Sequence, residues 1–405
     1  VKVIFVSYGL FESNSGGHIA GFANELAKNG HSVAVCAAGP SDNLSVYGPT
    51  HFTAIPVEAI EDDPQSVAAF DGKAADPGET IIHCWTPREK VRILTETLRR
   101  ELPAPYVVHL EDNEELVTAS QMQESWGNLM AADIGMLDAM IPLALSHPLR
   151  YKRFLAAGAG ATVIVDTLGD FVPTGLPVHV LEPGVNSQKF APAAKAADRT
   201  AVLAKLGINP KAKVIVYHGN MHAANQREVF SLYCAVNILR RRGLDVHLLR
   251  AGRDYSPGVD VSFDTLKGAV TELGFLDDAF LLEVLKTADA YVQPGGADAF
   301  NIYRLPSKLP EFLALGRPVL LPSANIGRQL MDGVEAIVLQ RGDGTEIADR
   351  LMAVFEDKEL AKALGQGGRL YAKKNLDWAY KARGLQDFYD RILRENQTQT
   401  ERQHA

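Results

Sequence analysis

Short apolar runs alternate with amphipathic stretches along most of this chain. Residues 3–7, 31–38, 80–84, 106–110, 161–165 and 178–181 are short, apolar and bounded by turn residues, which is the pattern of buried strands. Helical spacing fills the intervals: a glycine loop leads into a helix over 18–29 that Gly30 closes, and a helix rich in Arg and Glu covers 87–101. Residues 120–143, rich in Met, Ala and Leu at helical spacing, read as core packing. The texture changes at 182–198, a Pro-, Gly- and Ala-rich stretch that reads as a linker. A second alternating series follows, with strands over 214–218, 246–250, 290–293, 319–321 and 334–339 and helices over 225–242, 279–288, 345–355 and 358–373. Leu385, Phe388, Tyr389 and Ile392 mark a last amphipathic helix, and 395–405 reads as a frayed, disordered polar tail. The economical reading is an α/β protein of two doubly wound halves.

Composition narrows the class. A chain of 405 residues, 46% hydrophobic and 22% charged, is long enough for two domains that each bury a core. No apolar run approaches the ~18 to 20 residues of a spanning helix, and residues 1–6 have strand length, so neither a membrane span nor a targeting segment is expected. The net charge of -8 argues against nucleic acid as a partner. Three widely spaced cysteines, Cys36, Cys84 and Cys234, suggest neither a disulfide framework nor a zinc site, and a cytoplasmic location fits that usage.

The chemistry concentrates in residues 298–319, DAFNIYRLPSKLPEFLALGRPV. Ser307 is placed to cap a helix, Pro310 falls in its first turn, and Gly316 with Pro318 ends it. A helix start offers free N–H groups, and Arg304 and Lys308 add positive charge at the same end, a combination that suits a phosphate. Glu311, one turn in, can accept hydrogen bonds from paired hydroxyls such as those of a ribose.

Other candidates lie where strands end. Gly16 and Gly17, between the first strand and its helix, serve either the close approach of a ligand or a tight turn. Glu111 and Asp112 follow a strand directly, where open α/β sheets carry their ligand groups, so either can orient an acceptor hydroxyl; Glu114 and Glu115 read as a solvated helix start and His109 as a core histidine. Gly219 and Asn220 form the loop after the strand over 214–218, and Gly252 and Arg253 end the next one. Arg227 sits in the first turn of a long helix, where a cation opposes the dipole unless an anion is present.

Several segments in order resemble the GT-B glycosyltransferases of family 4: SGGHIAGFANELAKNGHSVAVCA, LEPGVNSQKFAPA, VIVYHGN, ELGFL, LLEVLKTADAYVQPG and PSKLPEFLALGRPVLL. The resemblance implies two Rossmann-like domains facing a cleft, an acceptor-side domain over 1–185 and a nucleotide-sugar domain over 186–375, with the helix over 376–394 packing back on the first. It also implies sugar transfer with retention and without a bound metal or other cofactor. Glu311 matches the second acid of the family's paired-glutamate motif, which holds the nucleotide ribose, but Tyr303 stands where the first acid is expected. Asp298 and Asn301 are the substitutes for that acid. Asn220 replaces an Arg that neutralises the diphosphate, Arg227 is the nearest match to the accompanying Lys, and Arg304 and Lys308 make up the missing charge. Gly17 matches the loop that approaches the diphosphate, and Glu111 occupies the place of a His before Asp112.

The resulting expectation has Glu111, Asp112, Arg227 and Lys308 as catalytic candidates. The donor-binding set is Gly16, Gly17, Gly219, Asn220, Arg253, Asp298, Asn301, Tyr303, Arg304, Leu305, Ser307 and Glu311. The partners expected are a nucleotide-sugar donor and a sugar, lipid-linked or small-molecule acceptor, with peripheral membrane contact left open. The altered charges at Tyr303 and Asn220 motivate a second reading, a catalytically silent GT-B subunit that binds a nucleotide or a partner enzyme.

Overall fold

The structure, a computed structural model, describes residues 1–39, 49–192, 196–255 and 266–404. Residues 193–195 of the expected linker lie outside the described residues. The chain forms two compact units, Val1–Gly184 together with Trp378–Ala405, and Val185–Asp377.

The first unit is built on a seven-stranded sheet. Its strands are β1 (Lys2–Leu10), β2 (Ser32–Ala38), β3 (Thr53–Pro56), β4 (Thr80–Trp85), β5 (Tyr106–Leu110), β6 (Gly160–Val163) and β7 (Val178–Val180). All pair in parallel, in the order β3-β2-β1-β4-β5-β6-β7. Val3 lies opposite Val33 on one edge and Ile81 on the other, and Val3, Ile4, Phe5 and Val6 are all fully buried, so β1 is covered on both faces and reads as a continuous apolar run. The order reverses between β1 and β4, the switch point at which such sheets open a crevice at their carboxyl ends. Helix α1 (Asn14–Lys28) starts at Ser13, whose hydroxyl accepts from the Gly16 N–H, and buries Ile19, Phe22 and Leu26. Helix α2 (Glu89–Glu101) buries Val91, Leu94 and Leu98, and the short α3 (Tyr151–Ala156) buries Phe154 and Leu155.

The C-terminal helix, Trp378–His404, completes this core. Leu385, Phe388, Tyr389 and Ile392 join Phe5, Phe22 and Trp85 in one cluster, Trp378 meets Phe22 edge-on at 5.1 Å, and Lys381 pairs with the buried Glu182 at 2.6 Å. The helix runs on through residues 395–404, where a disordered tail is expected from the polar composition. Two further expectations are corrected in this unit. Residues 114–140 form three short helices, Glu114–Met122, Trp126–Ala131 and Ile134–Met140. Only Leu129, Leu137, Ile141 and Leu145 make a small core there, while Met130, Met136 and Met140 are exposed. Glu114 is buried, held by Arg88 and the Ser146 hydroxyl, because partners 26 and 32 residues away in sequence replace its water.

The second unit carries six parallel strands, β8 (Lys213–His218), β9 (Val246–Ala251), β10 (Val270–Gly274), β11 (Ala290–Val292), β12 (Val319–Pro322) and β13 (Ile337–Leu339), in the order β10-β9-β8-β11-β12-β13. Again the order reverses, here between β8 and β11. Helix α4 (Gln226–Arg241) buries Val229, Leu232, Val236 and Leu239 over the sheet, and α5 (Leu309–Ala314) buries Leu309, Phe312 and Leu313. Val334, expected to begin the last strand, is half exposed and precedes it. Among the described residues no helix is long and apolar enough to cross a membrane.

A chain of polar groups crosses the first unit's core. The Tyr389 hydroxyl meets His83 Nδ1 at 2.6 Å, and the Thr162 hydroxyl meets both His83 Nε2 at 3.0 Å and His109 Nδ1 at 2.8 Å. Burial pushes the His83 imidazole well below its usual 6.5 and His109 to about 3, although the charge of Glu111 pulls His109 the other way. A histidine with a lowered folded pKa contributes fully above pH 6.5, and its contribution is lost as the pH falls toward the folded value, because the unfolded chain takes up the proton first. The melting temperature is therefore expected to fall progressively below pH 6.5, with a shallower fall for His109→Gln. Equal slopes for the two proteins in a pH series of melts would contradict a neutral buried His109.

Candidate functional site

Each unit presents a cluster of polar side chains at the carboxyl ends of its strands. In the first, Glu111 is the hub. Its carboxylate accepts from the Ser15 hydroxyl and from Trp85 Nε1 at 3.3 Å, and it meets His18 Nδ1 at 2.8 Å. Burial pushes this carboxyl up, but the His18 hydrogen bond and charge, with His109 and Ser15, outweigh it and lower the pKa to about 2. The result is a permanently ionised carboxylate orienting an imidazole at the start of α1. Asp112 is half exposed, 3.9 Å from the Arg88 guanidinium, which also stacks on Tyr8 and binds Glu114. Gly16 is sterically required, since a Cβ there would lie 2.0 Å from the Phe11 carbonyl oxygen; its neighbour Gly17 is half-buried and donates to the Ser13 carbonyl. Ser15, His18, Trp85 and Arg88 had no signal in a single sequence, because Glu111 and Glu114 reach them across the sheet.

In the second unit two loops lock together backbone to backbone. Gly252 has φ +137° and a Cβ on it would lie 2.2 Å from the Gly219 carbonyl oxygen, so only glycine allows this approach. The Asn220 side chain accepts from the Arg253 N–H at 2.9 Å and the Met221 N–H donates to the Arg253 carbonyl, which fixes the turn after β8. Arg253 lays its guanidinium over the exposed Phe275 at 4.6 Å. Asn220 is thus a structural element of the loop.

The stretch from Asp298 to Glu311 is organised by Glu228, in the first turn of α4. Its carboxylate accepts from Asn301 Nδ2 and pairs with Arg304 at 3.2 Å, and the Asn301 side-chain oxygen Oδ1 accepts from Arg304 Nε at 3.1 Å. Arg304 also lies over the Phe300 ring at 3.9 Å. Asp298 accepts from the Phe300 and Asn301 N–H groups and so shapes the turn, while Asn301 is fully buried. Both substitutes for the missing acid are therefore committed to loop bonds, and the charge of Arg304 is neutralised. Burial pushes the Glu228 carboxyl up, only partly offset by Arg304 and Asn301.

The remaining candidates are disposed as follows. Lys308, not Ser307, stands at the N-cap of α5, with helical φ and ψ and no side-chain cap bond; the Leu309 N–H turns back to the Pro306 carbonyl at 3.1 Å instead. A six-residue helix started this way contributes little dipole, so the positive charge comes from Lys308 itself. Lys308 is half-buried and Arg227 exposed, and neither side chain has a hydrogen-bond or ion-pair partner among the described residues. Burial, with the charge of Lys308, lowers the His218 imidazole to about 3 at the end of β8. Tyr303 and Ser307 are half-buried in the same stretch, Leu305 is buried, and Glu311 lies in the first turn of α5.

Residues 212–357 match the family described as glycosyl transferases group 1. The chain is similar to the D-inositol 3-phosphate glycosyltransferase of Nocardia farcinica, 24% identical over 228 residues that make up 53% of this chain and 48% of that protein. It spans about half the length of the relatives it matches. Among solved structures, Anabaena Alr3699/HepE in complex with UDP and glucose superposes with a TM-score of 0.66 at 14% identity, covering 96% of this chain and 99% of that one. A glycosyltransferase from Rickettsia africae ESF-5 does so with a TM-score of 0.68 at 13% identity, covering 97% and 98%. At such identities the likeness concerns the fold, which is of the GT-B class with two Rossmann-like units.

Glu228 provides a direct test of the charge balance in the second unit. Glu228→Gln keeps the side chain's size, gives up one of its two accepted bonds and removes one negative charge beside Arg304, so pyrophosphate should bind roughly three- to tenfold tighter by isothermal titration. Weaker binding would mean that the carboxylate acts by holding Arg304 in position and not by neutralising it.

Proposed function

We propose that this chain is a glycosyltransferase that moves a sugar from a nucleotide-diphosphate sugar to a hydroxyl acceptor, with retention at the anomeric carbon and without a bound metal. The observation that carries the proposal is the match of residues 212–357 to glycosyl transferases group 1, in the unit whose α5 and α4 starts bear Lys308 and Arg227. Neither has a side-chain partner among the described residues, and cations at helix starts suit a diphosphate. In this reading the backbone at Gly219 approaches the diphosphate and Glu311 accepts from the ribose hydroxyls.

The chemistry is electrostatic. As the bond between the anomeric carbon and the diphosphate oxygen breaks, negative charge grows on that oxygen, and Lys308 and Arg227 stabilise it. The acceptor oxygen forms its bond to the same face of the sugar, and its proton passes to the departing phosphate oxygen. The Glu111–His18 pair of the first unit orients the acceptor hydroxyl, with the imidazole standing in for the histidine that Glu111 replaces.

The silent-subunit reading keeps one observation in its favour, the neutralisation of Arg304 by Glu228. The two readings separate in a transfer assay with common sugar nucleotides in EDTA, followed by NMR of the anomeric product. Transfer with retention is expected; nucleotide binding without transfer or donor hydrolysis points to the silent subunit. Lys308→Ala should lower kcat by roughly 10²- to 10³-fold, the usual cost of one transition-state charge contact. Glu311→Ala should instead raise the donor KM about tenfold with a smaller change in kcat, the loss of about one hydrogen bond to a charged group. Unchanged donor KM would remove Glu311 from the ribose.

A further inference from the structure

The helix rich in Arg and Glu has no part in the chemistry above, yet it forms one wall of a cavity of about 400 Å³ between α2 and α3 of the first unit. Arg92 and Arg99 come from α2, Arg150 and Arg153 from the start of α3, and Tyr106 and Phe154 stack at 4.9 Å along the lining. Four guanidinium groups thus face one lining carboxylate, Glu96.

The four arginines are of two kinds. Arg92 and Arg150 are held in place, sharing the buried carboxylate of Glu89 at 2.6 and 3.0 Å and bonded in addition to Glu96 and Asp138. Arg99 lies over the Tyr106 ring at 4.9 Å and donates only to the Ala104 carbonyl, and Arg153 is exposed. Neither has a carboxylate partner among the described residues. Two fixed guanidinium groups therefore brace a wall on which two others have no carboxylate partner among the described residues, over the buried, mutually stacked rings of Tyr106 and Phe154. An unpaired cation pair of this kind is repulsive until an anion joins it.

We infer that this cavity is a binding site for a small phosphate monoester, with the phosphate on Arg99 and Arg153. Its volume lies within the range of ligand pockets, and the guanidinium fork matches phosphate geometry. The same phosphate chemistry can arrive on a soluble metabolite or on a lipid headgroup.

The test is isothermal titration of the full chain, in phosphate-free buffer, with inorganic phosphate and with phenyl phosphate. Saturable binding is expected for both, since the phosphate group they share makes the contacts. Arg153→Gln, at an exposed position, should weaken both about tenfold, and Arg99→Gln/Arg153→Gln should abolish them with the melting temperature kept. Lys308→Ala is expected to leave the phenyl phosphate isotherm unchanged. Sedimentation with phosphatidic acid vesicles, against phosphatidylcholine vesicles, assigns the source: arginine-dependent sedimentation marks a lipid-borne phosphate, and none marks a soluble one. Absence of saturable binding, binding insensitive to both arginine variants, or loss on Lys308→Ala would each overturn the inference.

Discussion

The largely buried carboxylate of Glu228 holds the second unit's candidate site together. It is 10% exposed, bonded to Asn301 and Arg304, and so close to the chain at Gly295 that a Cβ there would lie 2.7 Å from its oxygen. Gly295 itself has φ +122°, a conformation that side chains rarely adopt. Leaving a carboxylate this buried without its partners would be costly, so the loop from Asp298 to Arg304 is held against α4 by the need to satisfy it. That requirement ties Arg304 to Glu228, whereas the Lys308 and Arg227 side chains have no partner among the described residues.

The first unit follows the same logic around Glu111. Three donors from β4 and α1 converge on one carboxylate, and the hydrogen bond and charge of His18, with His109 and Ser15, keep it ionised although buried. Beneath it, the polar chain from Tyr389 through His83 and Thr162 to His109 ties the C-terminal helix to the strands that carry the site. The helix is therefore part of the scaffold under Glu111, with its apolar face in the same core as Phe5 and Trp85.

The architecture was legible because parallel strands buried on both faces leave a signal that depends on nearest neighbours alone: Val3 to Val6 and Val214 to Val216 are apolar throughout. Side-chain roles depend on partners far away in sequence, and there the reading failed. Glu114 looked solvated because Arg88 and Ser146 are not its sequence neighbours. Ser307 looked like a cap, but the chain turns one residue later on the Pro306 carbonyl. Arg304 gave no hint of its ion-pair partner, because Glu228 lies 76 residues earlier. The methionines of residues 130–140 fit a helical period, and period does not say whether a short helix has anything to pack against.

The central claim is that the unpartnered cations of the second unit hold a nucleoside diphosphate. The most direct measurement is a thermal-shift screen of the full chain with UDP, GDP, ADP and TDP, with and without EDTA, repeated on Lys308→Ala. A ligand near 100 times its dissociation constant stabilises by about 2.7 kcal/mol, enough for a visible shift. The account predicts a shift with one nucleotide that EDTA leaves intact and Lys308→Ala removes. No shift with any of the four, or an equal shift in the variant, would contradict it.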